Sequence, residues 1–147
     1  MPPGYSNEPT QPPAEVVWNR VARLAGGGMA IWDGPHRYIV VDPDLHGAQR
    51  RCVIEHERIH LQRGQPTDRP GSPPGWAAVV AREEHLVDQC VAKRLVCPTQ
   101  LAELRRQAEA SGPMTAAEVA DHLEVTEEVA RIAMRYLPDP GPDGHTS

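Results

Sequence analysis

Arg50-Arg51-Cys52-Val53-Ile54-Glu55-His56-Glu57-Arg58-Ile59-His60-Leu61 is the stretch on which the reading of this chain turns. It contains the pattern H-E-x-x-H, from His56 to His60. Side chains four residues apart share one helix face, about 5–6 Å between Cβ atoms. Two imidazoles so placed can share one zinc ion. Glu57, next to the first of them, can reach a water on the metal without ligating it. Zinc lowers the pKa of such a water to about 7. Glu57 is then the expected base, taking the proton and returning it to a leaving amine. Seven His in the chain leave room for a chance match. Context favours the metal: the motif follows Cys52-Val53-Ile54, and imidazoles buried without partners are costly.

The helix around this motif is expected from Leu45 to Arg63, ended by Gly64, with Asp42-Pro43-Asp44 breaking the preceding strand and available as a cap. Upstream, Met29–Asp33 and His36–Asp42 read as two short strands joined at Gly34-Pro35 in a hairpin. Tyr38-Ile39-Val40-Val41 is the most strand-like run in the chain. Val16, Val17, Val21 and Leu24 suggest a first helix over Ala14–Leu24, ended by Gly26-Gly27-Gly28.

Downstream, Gln65–Gly75 reads as a Pro-rich loop and Trp76–Val96 as a long helix. Its apolar positions Ala77, Val80, Val87, Val91 and Leu95 leave one gap, filled by Glu84. A carboxylate on an inward face must be paired or metal-bound. Glu84 is therefore the expected third metal ligand, with His85 its rival, since a catalytic zinc takes three protein ligands and a water. Asp88, one turn on, could accept the second N–H of a ligand His. Helices are further expected at Gln100–Ala110, Thr115–Leu123 and Thr126–Leu137.

The whole is expected to be an α+β, mostly helical fold with a short antiparallel sheet. Residues 1–13 read as a disordered N-terminus, 14–111 as the main domain, 112–137 as a small helical part and 138–147 as a disordered tail. The N-terminal Met1–Pro13 has no apolar core of a signal peptide, and no run approaches the ~18 residues of a membrane span. Three Cys without paired spacing suit a reducing compartment. A cytoplasmic protein without a membrane partner is the expectation.

These segments resemble the ImmA/IrrE family of metallopeptidases. The likeness is carried by Tyr38–Leu45, by Arg50–Leu61, and by Arg82-Glu83-Glu84-His85-Leu86-Val87-Asp88 with Ala92–Val96. It covers about Ile31 to Pro98 well and the rest loosely. The resemblance implies a zincin-like minimal fold and a zinc site of His56, His60 and Glu84, with Glu57 as base. It also implies cleavage of a helix-turn-helix repressor, in the setting of a phage or mobile element. The chain departs from the family at Ile59, where many members have Gly, at Val96-Cys97 in place of Leu-Met, and in the late position of Pro98.

Two other functions compete. A repressor-binding module could keep the fold without chemistry, though Glu57 would then have no purpose. Ala116–Leu137 could be a DNA-reading helix-turn-helix using Arg131 and Arg135. Charge opposes that: Glu118, Asp121, Glu124, Glu127, Glu128, Asp139 and Asp143 outnumber the two Arg, and the chain's net charge is -5. The apolar residues of this segment are expected to pack on the body or to dock a substrate, and no nucleic-acid partner is expected. Cys52, Cys90 and Cys97 read as buried small hydrophobes, and Tyr38 as a candidate oxyanion helper.

Overall fold

Period-two alternation along the central strand sets one face of a small sheet against a helix. The computed structural model describes residues 15–18, 25–33, 35–64 and 71–139. Three strands, β1 (Glu15–Trp18), β2 (Gly28–Asp33) and β3 (His36–Val41), form a sheet in the order β1-β3-β2. β2 and β3 are antiparallel, registered from Gly28 opposite Val41 to Asp33 opposite His36. Ile39 and Val41 of β3 are fully buried and pack with Ile54 and Leu61 of α1 (Gly47–Arg63).

Two expectations fail at the N-terminal strand. Residues 15–18 are extended, not helical, and β1 runs parallel to β3, so the sheet is mixed rather than antiparallel. The reason lies in Val16 and Val17. Adjacent β-branched residues favour a pleated surface, and only Val16 turns to the core, while Val17 is exposed. The remainder of the expected helix, 14 and 19–24, lies outside the described residues, as do 1–13, 34, 65–70 and 140–147.

Asp42 ends β3 and caps a turn, not the helix. Its Oδ1 accepts from the Asp44 N–H at 3.0 Å, and its own N–H donates to the Gly27 carbonyl at 2.8 Å. The N-cap of α1 is His46, without a side-chain cap. Gly28 is needed where β2 crosses α1. A Cβ there would lie 2.5 Å from Val53 Cγ1 and 3.2 Å from Glu57 Cγ, so glycine permits the close approach.

α2 (Trp76–Leu95), α3 (Pro98–Ala108), α4 (Ala116–Leu123) and α5 (Glu127–Tyr136) follow. Pro98 stands at the start of α3, where its missing N–H costs nothing. Thr115 and Glu118 form a capping box on α4, and the Thr126 hydroxyl accepts from the Val129 N–H at 3.3 Å to cap α5. Cys52 and Ile59 of α1, Val87 and Val91 of α2, Leu101 of α3, and Val119, Val129, Ala130 and Ala133 of the last two helices share one core. The C-terminal helices therefore pack on the body.

Arg51 ties these parts together. Its guanidinium donates to the Leu123 and Glu124 carbonyls at 3.2 and 3.0 Å and to the Leu95 carbonyl at 3.5 Å. It thus supplies a cation to the C-terminal ends of both α4 and α2. No described helix is long and apolar enough to cross a membrane.

Candidate metal centre

The helical turn between His56 and His60 brings both rings to the side of α1 that meets α2. Their centroids lie 4.6 Å apart, and the two Nε2 atoms 3.0 Å apart. From α2, Glu84 reaches across with both oxygens: Oε2 is 3.1 Å from His56 Nε2, and Oε1 is 2.9 Å from His60 Nε2. Ligand atoms from these three residues lie within 4.8 Å of one another, and the group could hold a metal ion.

The hydrogen count supports such an occupant. His56 Nδ1 lies 3.2 Å from Asp88 Oδ1, so that nitrogen donates its hydrogen to the carboxylate. A neutral His56 then presents a bare lone pair at Nε2, facing the Glu84 carboxylate and His60 Nε2. The single hydrogen His60 Nε2 can carry serves only one of these contacts. One cation at the point of convergence satisfies all three ligands. Tetrahedral ligands about 2.0 Å from zinc stand roughly 3.3 Å apart, near the separations found here.

Burial and charge set the titration of the group. Burial works against a charged His56, but the hydrogen bond to Asp88 and the charges of Glu84, Glu57 and Asp88 outweigh it and raise its pKa. His60 moves the other way: burial and the adjacent His56 lower it in spite of Glu84. Its side chain is 5% exposed, and its Nδ1 has no hydrogen-bond partner among the described residues. Burial raises the Glu57 pKa, aided by the charge of Glu84, while His56 and the Ala30 backbone pull it down. The net rise brings Glu57 closer to the range in which a carboxylate exchanges protons near neutrality.

All of these groups open on one cavity of about 600 Å³. Gly28, Met29 and Ala30 of β2 form one wall, and Thr126, Glu128 and Val129 at the start of α5 form another. The contribution of α5 is not read from the sequence, because nothing local in Thr126–Val129 distinguishes a cavity wall from a capped helix start.

Glu84, not His85, joins the two His. His85 is exposed, lies 2.9 Å from Gln89 Nε2 and stacks edge-on against Tyr136. The sequence argument for Glu84 is nonetheless corrected. Ala77 is exposed, the buried face of α2 begins only at Val87, and the Glu84 side chain is 46% exposed. Glu84 stands at the rim of the inward face, not in its middle. Tyr38 does not line the cavity. It alternates with the buried Ile39 and so points to the sheet face away from α1. Of the three Cys, Cys52 is buried, Cys90 partly so and Cys97 exposed. No family model, curated protein or solved structure matches the chain.

Proposed function

We propose that this chain is a zinc-dependent metallopeptidase of zincin-like fold that hydrolyses a peptide bond in a protein substrate. The observation that carries the reading is the meeting of His56, His60 and Glu84 on the cavity into which Glu57 also opens. Two imidazoles and one carboxylate form a donor set that suits zinc and leaves a position for water. Bound there, zinc would supply Lewis acidity, polarising a carbonyl and acidifying water.

The chain's own residues supply the rest. Asp88 fixes the His56 tautomer so that Nε2 faces the ligand group. Glu57 lies beside the group without belonging to it, and its raised pKa suits a base that takes a proton from water and passes it to the departing amine. The resemblance of Tyr38–Leu45, Arg50–Leu61 and Arg82–Asp88 to ImmA/IrrE peptidases extends the proposal to a helix-turn-helix repressor as substrate, in the cytoplasm. Arg131 is paired with Glu127 at 2.7 Å and Glu128 at 3.4 Å, which speaks against a role on phosphates.

Incubating the zinc-loaded protein with candidate repressors tests this. Fragments are expected that disappear with chelator or with Glu57→Gln. Fragments equally abundant with wild type and Glu57→Gln would refute the peptidase. Repressor inactivation without fragments would replace it with a sequestering module.

A further inference from the structure

The half of α2 that carries Glu84 is the half the core does not hold. No residue from Trp76 to Leu86 is buried, and the first buried ones are Val87, Val91 and Ala92. Apolar packing therefore fixes the second half of the helix, and Glu84 stands before that seam begins. A helix without packed apolar contacts opens locally at little cost, and a metal ligand on such an element is poorly placed. Even so, both Glu84 oxygens reach the two His of α1.

A fork across the helices accounts for this. Arg63 Nε donates to Glu83 Oε1 at 2.5 Å, and Arg63 Nη2 to Glu83 Oε2 at 3.1 Å. Arg63 follows His60 by three residues in the last turn of α1, where a cation is also favoured by the helix carbonyls. Glu83 is the residue immediately before Glu84. Its side chain is only 18% exposed, against 46% for its neighbour. Exposed ion pairs contribute little to stability. A two-bond guanidinium–carboxylate fork, however, fixes direction as well as distance.

We propose that Arg63 and Glu83 are a positioning pair, a strut that holds the unburied half of α2 against α1 so that Glu84 completes the metal site. The inference rests on the reading of His56, His60 and Glu84 as ligands. Neither Arg63 nor Glu83 belongs to the ligand group or lines the cavity.

Zinc alone is the probe, its affinity measured by competition with a chelating dye. Arg63→Ala and Glu83→Ala should each weaken zinc binding by about 10–100-fold, the usual cost of losing a group that orients a ligand. The melting temperature of the metal-free protein should move little, as for other surface substitutions. The exchange Arg63→Glu with Glu83→Arg should recover most of the affinity. Arg63→Lys, which keeps the charge but not the fork, should bind more weakly than wild type. Single variants with wild-type affinity, an exchange no better than the singles, or Arg63→Lys equal to wild type would each overturn the strut while leaving the metal site standing. A wild-type chain that binds no zinc would instead remove the metal reading, and the strut with it.

Discussion

The α4–α5 pair and the face where α1 meets α2 obey opposite rules. In α4 and α5 the local preferences agree with the fold, apart from Glu124 between them, which takes a left-handed conformation at φ 54°. Thr115 and Thr126 cap the helix starts, Glu118 closes a capping box, and Val119, Val129, Ala130 and Ala133 turn inward. At the α1–α2 face the preferences conflict. Two imidazole nitrogens face each other at 3.0 Å, His60 Nδ1 is buried without a partner among the described residues, and Glu84 and Asp88 crowd in. Sequences that satisfy local rules almost everywhere tend to break them where they function. The first region is held by apolar packing and caps, and the second brings together polar groups that could hold a metal ion.

The largest expected effect separates the two regions by packing alone. Leu101 is among the most deeply buried side chains of the shared core. Leu101→Ala should cost roughly 2–5 kcal/mol of stability in denaturant unfolding, with zinc affinity of the folded fraction unchanged. A matching loss of affinity would show that the regions are not separable.

Chelation attacks the other side. Zinc bound only by the folded state stabilises it by about 2.7 kcal/mol at a hundred times its dissociation constant. Calorimetry with and without chelator should show this shift in wild type and not in His60→Ala. Equal shifts in both would place the metal elsewhere.

The C-terminal helices should respond more weakly and without reference to metal. Thr115→Ala removes a cap and should cost about 1 kcal/mol, read as a lower denaturant midpoint with or without zinc. A metal-dependent loss would couple α4 to the site.

The smallest expected effect is a pH dependence. The Thr115 backbone N–H and hydroxyl hold the Glu118 carboxyl below its usual pKa of 4.5. A depressed folded-state value means stability that is present above the unfolded pKa and lost as pH falls through the folded one. The gap between wild type and Glu118→Gln should therefore be seen at neutral pH and close in acid, as pH falls through the lowered folded-state pKa. A gap that widens in acid would contradict the capping box.

The same contrast explains what was legible in the sequence. Helices with apolar period, caps and breakers read well: α4 and α5 fall within a residue or so of expectation, while α3 begins at Pro98 and ends at Ala108, two residues before the expected Gln100–Ala110. The hairpin of β2 and β3 was legible in its alternation and its Gly-Pro turn, although Gly34 itself lies outside the described residues. β1 was not, because Val16 and Val17 acquire their meaning only from β3, a partner distant in sequence. Within the site, His56, Glu57 and His60 were legible because their spacing is local to one helix. Glu84 and Asp88 were reached through the gap in an apolar stripe that proved only half inward. Thr126 and Glu128 could not be reached, since their presence at the cavity depends on how α5 packs across α2.

Metal content of the purified protein tests the central claim most directly, with Glu84→Ala and His85→Ala beside wild type. One zinc per chain is expected in wild type and in His85→Ala, and little or none in Glu84→Ala. A wild type without stoichiometric metal, or a metal lost with His85 and kept without Glu84, would contradict the site described here.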